Sequence, residues 1–260
     1  MTDVTDLESP IVTHRVDGVT TLVLNRPGTL NALSAELLLL LIAELSKASA
    51  DPTVRMIVLT GQGRAFSSGA DLTSAAKGKG DTLVLMNQVS AAICAAPKLV
   101  IARVNGPAAG VSSSFVMACD LAIASDAAFL KLGFDQLGLI PDGGGTALLP
   151  ATVGRGRAMQ FALLGDRISA ADALTYGIYA RVWPAADFDR EADAFIQRLA
   201  AGSVPAMAAT KAAVNRATIG PLAEQLEYER TVQYGLINGV DFAEGVAAFR
   251  EKRTPRFGEG

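Results

Sequence analysis

Few of the side chains that usually carry enzyme chemistry occur in this sequence. It contains one histidine, His14, and two cysteines, Cys94 and Cys119, so a catalytic zinc site with two or three histidine ligands is excluded. Both cysteines lie in apolar stretches, which favours small buried side chains in a reducing compartment over a disulfide framework or a catalytic thiol. His14 is far in sequence from every glycine-rich loop, and a surface or strand-pairing role is the better interpretation.

Two familiar glycine motifs are incomplete. Residues 110–114, Gly-Val-Ser-Ser-Ser, begin like the nucleophile elbow of serine hydrolases, but the closing glycine is missing and the histidine precedes the serine instead of following it. Residues 61–66, Gly-Gln-Gly-Arg-Ala-Phe, lack the third glycine of the dinucleotide fingerprint, and no GxxxxGK[ST] phosphate loop occurs. The sequence therefore predicts neither a serine hydrolase of that kind nor a nucleotide-binding enzyme.

Three glycine-containing loops remain as candidates for chemistry by the backbone. They are residues 61–71, 105–110 and 141–145, and because ligands of α/β proteins bind where strands end, the three could meet at one site. Turns such as Ser68–Asp71 and Ala109–Val111 can each aim a free N–H group at one point, and two such donors form an oxyanion hole. On composition alone, tight turns without a ligand are the better interpretation.

The overall composition is that of a globular protein that binds no nucleic acid and crosses no membrane. The chain has 260 residues, 23 basic and 26 acidic side chains, a formal net charge of −3 and a pI near 5.3. It has no block of basic residues, and its longest apolar run, Leu37 to Ala43, is far shorter than the about 20 residues that span a bilayer. Residues 1–10 lack the pattern of a secretory signal, so we expect a cytoplasmic protein.

Alternating strands and helices must position these loops. Residues 11–16 and 19–24 predict a hairpin, since Asp17-Gly18 supplies the positive φ angles of a two-residue turn. Ser34 is placed to cap a helix over residues 35–48. The same patterns predict strands at residues 54–60, 99–104 and 121–125, and helices at about residues 82–95 and 110–118. The alternation is typical of an α/β layer structure.

The C-terminal part of the chain has a different pattern. From about Ala185 onward helix follows helix. The predicted caps are Ser169, Pro205 and Pro221. We therefore divide the chain into a core, residues 1–200, and a helical region, residues 201–260. Lys77–Gly80 combines lysine and glycine and is the segment best suited to a mobile loop.

Four motifs occur in an order and spacing that resemble a known family. They are Leu24-Asn-Arg-Pro-Gly-Thr-Leu-Asn-Ala-Leu33, Arg64-Ala-Phe-Ser-Ser-Gly-Ala-Asp-Leu72, Asn105-Gly-Pro-Ala-Ala-Gly110 and Leu137-Gly-Leu-Ile-Pro-Asp-Gly-Gly-Gly-Thr146. Together they resemble the enoyl-CoA hydratase/isomerase (crotonase) superfamily. The likeness continues through Gly177 to Phe249–Phe257 and covers nearly the whole chain.

The resemblance implies an α/β crotonase (ClpP-like) fold of repeated ββα units, with a C-terminal helical region that forms a homotrimer or a dimer of trimers (a hexamer). It also implies acyl-CoA thioesters as substrates, with no cofactor besides the coenzyme A that the substrate carries. Carried over by position, the oxyanion-hole donors are the backbone N–H groups of Ala70 and Val111. The residues implied along the coenzyme A path are Thr29, Leu30, Arg64, Ser68, Asp71 and Leu72, with Lys252 of this or a neighbouring subunit at the nucleotide end.

The residues that decide the reaction favour isomerisation. Hydratases of the family use two glutamates, and the matching residues here are Ser114 and Phe134, which cannot act as acid or base at neutral pH. Asp142 remains, and it is the acid/base in relatives that share this stretch, which resemble the phenylacetate-pathway isomerases. One carboxylate suffices to take a proton from C2 of an enoyl thioester and return it at C4. The resemblance thus implies an enoyl-CoA isomerase, with a hydratase or a non-catalytic acyl-CoA binder as alternatives.

Other roles for the nearby residues stay open. Asp142 could instead cap the following helix, and a capping aspartate should have a lowered pKa, whereas a catalytic one in an apolar pocket should have a raised pKa. Asp135 is the second candidate base unless it is simply solvated. Asp120, at the end of a helix, fits a structural role. We expect the segment from Thr73 to Leu85 to cover the acyl pocket.

Overall fold

The computed structural model describes residues 8–72 and 79–258, with the backbone alone for residues 79–81. Its strands are β1 Ile11–Val16, β2 Val19–Leu24, β3 Met56–Gly61, β4 Leu99–Val104, β5 Ala108–Ala109, β6 Leu121–Ser125, β7 Phe129–Lys131, β8 Ile168–Ser169 and β9 Arg181–Trp183. Its helices are α1 Ala35–Ala50, α2 Lys79–Ala95, α3 Val111–Ala118, α4 Gly145–Leu164, α5 Ala170–Thr175, α6 Phe188–Ala200, α7 Val204–Thr218, α8 Leu222–Ile237 and α9 Val240–Glu251. The predicted alternation of strands and helices is confirmed.

The main sheet has the strand order β1-β2-β3-β4-β6-β9. β1 and β2 form the predicted antiparallel hairpin, with φ angles of 49° at Asp17 and 79° at Gly18, and the other neighbours are parallel. β3 is buried along its whole length, as expected for a central strand covered on both faces. The carboxyl ends of β3 and β4 therefore lie side by side, and the loops after them start at one edge of the sheet.

A second, small sheet fixes the chain just before α3. It has the order β5-β7-β8, with β5 parallel to β7 and β7 antiparallel to β8. A parallel bridge between Ser67 and Ala108 joins the loop after β3 to β5. The small sheet thereby holds two of the three glycine-containing loops against each other.

The helix caps follow the predicted chemistry with one correction. Ser34 caps α1, its Oγ accepting from the Leu37 amide at 3.2 Å, and Ser169 caps α5 by accepting from the Asp172 amide at 3.1 Å. The prediction of Pro205 as the cap of α7 was wrong, because Ser203 is the N-cap and Pro205 lies in the first turn. Proline is tolerated in that turn because its missing N–H has no partner within the helix. Pro221 precedes α8 as predicted.

The helices after residue 200 share the core of the preceding chain. Leu222 and Leu226 of α8 belong to the main apolar cluster, which also contains residues of β2, β4, α1, α2 and α3. Lys211 of α7 is buried and forms a 2.9 Å ion pair with Asp120, whose carboxylate also accepts from the Val100 amide at 2.7 Å. Asp120 therefore ties α7 to the sheet.

The structure leaves the two cysteines unpaired, and burial raises the pKa of both Cys94 and Cys119. In the described ranges, no cluster of three or more His, Cys, Asp or Glu side chains could hold a metal ion. None of the helices within those ranges is long and apolar enough to cross a membrane.

Candidate active site

One cavity of about 900 Å³ contains all the residues that the resemblance assigns to the site. They are Thr29, Leu30, Arg64, Ser68, Ala70, Asp71, Leu72, Val111, Asp142 and Lys252. The cavity lies at the ends of β3 and β4 and is closed by α2, α3, α8 and α9, each of which contributes lining residues. The structure thus brings together residues from both ends of the chain.

Two loops of the cavity wall are fastened edge to edge. The Ala109 amide donates to the Ser67 carbonyl at 2.9 Å, and the Ser112 hydroxyl donates to the same carbonyl at 3.0 Å. Gly69 has φ +87°, and a Cβ there would lie 2.6 Å from the Ala109 carbonyl oxygen. A side chain at Gly69 would separate the loops, so the close approach requires glycine.

Two backbone N–H groups on these loops are available to a ligand. Leu33 uses both of its backbone groups to bridge Gly69 and Asp71, so the N–H of Ala70 faces away from the bridge. Val111 is the first residue of α3, where a helix leaves its N–H groups unpaired. Within the described ranges neither amide donates a hydrogen bond. Two free donors in one cavity can stabilise an oxygen on which negative charge develops.

Ser68 and Asp71 hold the first loop in place. The Ser68 hydroxyl donates to the Thr29 carbonyl at 3.1 Å, and its amide donates to the Leu30 carbonyl at 2.9 Å. Asp71 forms a 3.0 Å ion pair with Arg26. Both side chains therefore serve the shape of the wall, and the charge of Asp71 is already balanced.

The open end of the cavity is cationic. Arg64 and Lys252 are exposed at its rim, and Lys252 follows α9 with φ 56°. Arg253 beside it is engaged by Glu244 and Glu251. Among the described residues Arg64 and Lys252 form no ion pair, so both charges are available to an anionic ligand.

Asp142 lies between β7 and α4 and is only 6% exposed. Its Oδ2 accepts from Nε2 of Gln233 at 3.0 Å, whereas its Oδ1 is buried and has no hydrogen-bond partner in the described part of the chain. Burial raises the pKa of the Asp142 carboxyl to about 7; the Gln233 hydrogen bond opposes the increase and the charge of Glu229 adds to it. Near neutral pH both the acid and the carboxylate are populated, as a proton-transfer group requires.

Asp142 does not cap α4. The N-cap residue is Gly144, and Glu229 of α8 accepts hydrogen bonds from backbone amides at the start of α4. Its Oε2 accepts from the Gly144 amide at 2.7 Å, and its Oε1 accepts from the Thr146 amide at 2.8 Å and from the Thr146 hydroxyl. Burial raises the pKa of Glu229 too, against these hydrogen bonds. The interpretation of Asp142 as a helix cap is therefore wrong, and Glu229 of α8 takes that role.

The other candidate acids and bases lie elsewhere or lack the chemistry. Asp135 packs against Gly165 and is not among the residues that line the cavity. His14 is on β1 opposite Thr21, also outside the cavity lining. Ser114 is buried, and its hydroxyl donates to the Asp142 carbonyl at 2.7 Å.

Most of the remaining cavity wall is apolar and suits an acyl group. Its lining includes Leu83, Met86, Phe134, Leu139, Ile237 and Phe242. The cover predicted for Thr73–Leu85 is described from residue 79 onward, where Thr82 and Leu83 line the cavity. Residues 73–78, which include the first half of the predicted mobile loop, lie outside the described residues, and its second half begins α2.

Sequence reasoning missed two residues of the site, Glu229 and Gln233. Both are fully buried on α8, on the same face as Leu222 and Leu226. The signal was present, because the two polar residues continue an apolar stripe at helical spacing. A polar pair on a buried stripe must find partners, and these two find them beside Asp142.

Comparison with known proteins gives consistent results across the chain. The family model described as enoyl-CoA hydratase/isomerase matches residues 14–260. A Rhodobacter capsulatus protein named "probable enoyl-CoA hydratase" is 40% identical over 245 residues, which cover 93% of this chain and 95% of that protein. The 1,2-epoxyphenylacetyl-CoA isomerase of Escherichia coli is 38% identical over 258 residues, 95% of this chain and 97% of that protein. The crystal structure of an enoyl-CoA hydratase from Mycobacterium avium subsp. paratuberculosis, 41% identical, matches with a TM-score of 0.90 over 99% of this chain and 98% of that one.

Proposed function

The chain belongs to the enoyl-CoA hydratase/isomerase family and has its α/β crotonase fold, and we propose that it moves a carbon–carbon double bond along an acyl-CoA thioester. Relatives with both names, hydratase and isomerase, are similar to it, so the choice of reaction depends on the site. The observation that supports the proposal is the small number of acidic side chains that line the cavity. Two acidic residues line the cavity in the described part of the chain; Asp71 is paired with Arg26, and Asp142 is left.

The proposed reaction is a proton transfer through one carboxylate. The C2–H bond of a 3-enoyl thioester breaks, the proton passes to the free Oδ1 of Asp142, and the electron pair spreads over the thioester carbonyl and the C3–C4 double bond. The N–H groups of Ala70 and Val111 donate to the carbonyl oxygen, where charge collects. The same proton then forms the C4–H bond, which leaves the double bond between C2 and C3. No water and no cofactor is consumed.

Hydration is the second candidate, and the wall around Asp142 supports it less well. Adding water across a double bond by the two-glutamate mechanism needs one group to activate the water and another to protonate the neighbouring carbon. The positions implied for those groups hold Ser114, whose hydroxyl is committed to the Asp142 carbonyl, and Phe134, which is buried and apolar.

The coenzyme A part of the proposed substrate is complementary in charge to the cationic rim of the cavity. Coenzyme A carries phosphate groups, and Arg64 and Lys252 offer two charges that are not engaged within the described ranges. We include in the proposal the homotrimer or dimer of trimers that the resemblance implies. Exposed apolar side chains on α8 and α9, Tyr228, Val240 and Phe249, are compatible with contacts between copies of the chain.

Two parallel assays test the proposed reaction. Conversion of a 3-enoyl-CoA to the conjugated 2-enoyl-CoA raises the ultraviolet absorbance, and hydration of crotonyl-CoA lowers it. We expect the first reaction to be fast and the second to be slower by at least about tenfold. Fast hydration with slow isomerisation would contradict the proposal, and tight acyl-CoA binding with neither reaction would identify a binder.

A further inference from the structure

Gln233 is held in one orientation by the backbone of Ile140. Its Nε2 donates to the Ile140 carbonyl at 2.9 Å, and its Oε1 accepts from the Ile140 amide at 3.3 Å. A carbonyl can only accept and an amide N–H can only donate, so these two contacts exclude the flipped side-chain amide. The Nε2 group is therefore turned towards Asp142 before any substrate arrives.

The third contact of Gln233 is with the carboxyl group of Asp142. Nε2 donates to Oδ2 at 3.0 Å, and Gln233 itself is fully buried beside the cavity that it helps to line. This contact occupies one oxygen and fixes the plane of the carboxyl group, while Oδ1 keeps no partner among the described residues. Oδ2 is thus engaged by Gln233, and Oδ1 is left available to exchange a proton.

We propose that Gln233 is a positioning residue for the isomerisation, which holds Asp142 so that Oδ1 is the oxygen that exchanges the proton with substrate. This inference rests on the proposed function. Proton transfer needs heavy atoms within about 3 Å and good alignment, and a displacement of about 1 Å can cost about a hundredfold in rate. A carboxyl group that rotated freely would present either oxygen, or neither, to C2.

The charges around Asp142 are few, so the effect of Gln233 can be isolated. Glu229, one turn earlier on α8, is the charged group that acts on the Asp142 carboxyl among the described residues, and it raises the pKa. From α2 and α3 the facing residues are Ser90, Val111 and Ser114, which carry no charge. The Gln233 hydrogen bond lowers the pKa of Asp142, because it stabilises the carboxylate.

The test replaces Gln233 by methionine, which is similar in length and has no donor. We expect Gln233→Met to lower kcat for 3-enoyl-CoA isomerisation by about 10–100-fold and to change KM by less than about twofold. The acid limb of kcat/KM should move to higher pH, since the hydrogen bond to the carboxylate is lost. A residue with a merely structural role would leave that limb in place, so an unmoved limb or an unchanged kcat overturns the inference.

A matched control and a second variant keep the test decisive. Gln225→Met makes the same substitution on the same helix and removes a 2.7 Å bond to the Thr146 hydroxyl but no contact with Asp142, so it should leave the acid limb in place. If Gln233→Met does not fold, Gln233→Leu removes the same donor to Asp142 with a shorter apolar side chain that adds no charge. It should then lose at least about tenfold in kcat and move the acid limb upward, and wild-type values of both would overturn the inference.

A double-mutant cycle separates this inference from the proposed function. If Gln233 acts through Asp142, Gln233→Met should cause no further loss of isomerase activity in the Asp142→Asn background. An additive loss would mean that Gln233 acts on its own and would overturn the inference. Turnover retained by Asp142→Asn alone would instead overturn the proposed function. An inactive Asp142→Asn with a fully active Gln233→Met would remove only the role of Gln233.

Discussion

Two buried carboxyl groups lie at the turn of residues 141–146: Asp142 belongs to the turn, and Glu229 reaches it from α8. Asp142 lies on the cavity side and Glu229 on the helix side, both are buried, and burial raises the pKa of both. Both oxygens of Glu229 accept hydrogen bonds from the first turn of α4, whereas Asp142 has one oxygen engaged and one without a partner in the described structure. Burial and a raised pKa therefore do not by themselves identify a catalytic acid. Asp142 is distinguished because it lines the cavity and has an oxygen without a partner in the described structure.

A single helix, α8, contributes the side chains that act on both sides of this turn. α8 provides Glu229, which holds the turn, and Gln233, which holds the carboxyl group that the turn carries. The two residues are one turn apart and both fully buried. Removing Glu229 should cost mainly stability. Removing Asp142, the partner of Gln233, should cost mainly catalysis.

The largest expected effect is on the cavity side. Asp142→Asn keeps the size of the side chain and an acceptor for Gln233 but cannot exchange a proton, so we expect isomerase activity to fall by about 10²–10⁴-fold. Binding of an acyl-CoA should change little, because the proposed contacts of coenzyme A lie at the rim, away from Asp142. The measurement is kcat by absorbance, together with Kd by calorimetry.

Asp135→Asn is the matched control for that variant. The same chemical change is made seven positions earlier, on a residue outside the cavity lining, and should leave kcat within about twofold. The opposite outcome, a normal Asp142→Asn and an inactive Asp135→Asn, would transfer the role of base to Asp135.

The next effect is on the helix side. Glu229→Ala leaves the buried amides of Gly144 and Thr146 without acceptors, and we expect the free energy of unfolding to fall by about 3 kcal/mol. Below the melting temperature, kcat should be reduced far less than in Asp142→Asn. Chemical denaturation provides the first number and the absorbance assay the second. Glu227→Ala, an exposed residue of the same helix, should be nearly silent in both.

A third effect links the cavity side to stability through pH. The folded pKa of Asp142 lies near 7, above the unfolded value of 3.8, so the folded state loses stability relative to the unfolded one as pH rises between these values. Asn cannot ionise, and the stability of Asp142→Asn relative to wild type should therefore increase by about 2–3 kcal/mol from pH 5 to pH 8. Denaturation curves at the two pH values measure it. A constant difference would show that the group is not shifted in the folded protein.

The smallest expected effect is on the rate profile. In the proposed reaction the carboxylate form of Asp142 takes the proton, so kcat/KM should fall about tenfold per pH unit below about 7 and level off above it. Glu229→Gln should lower that midpoint, because the charge that raises the pKa of Asp142 is removed. A midpoint near 4 in the wild-type enzyme would be at odds with a buried base.

The sequence predicted the elements that are long and periodic. β1 to β4 and β6 have five or six residues each, and α1 has a buried leucine stripe and its cap in Ser34. β5, β7, β8 and β9 were not predicted, because two or three residues carry no pattern and these strands exist through pairing with distant partners.

The site was predicted unevenly for a similar reason. Loops that follow strands carry their residues in short motifs, and the structure places Ala70, Val111 and Asp142 in one cavity. Gln233 and Glu229 reach the same turn from about ninety residues further along the chain, and their significance depends on how α8 packs. Asp71 illustrates the converse, since its motif points to the ligand path whereas its charge is used by Arg26.

In the proposed reaction one buried carboxyl group both removes and returns the proton, and the fate of that proton can be followed with an isotope. A 3-enoyl-CoA deuterated at C2 is converted in ordinary water under single-turnover conditions, and the product is examined by mass spectrometry and NMR. We expect part of the deuterium to appear at C4, because the buried Asp142 is shielded from solvent while it carries the label. A product whose new C4 hydrogen comes wholly from water in the first turnover would contradict it.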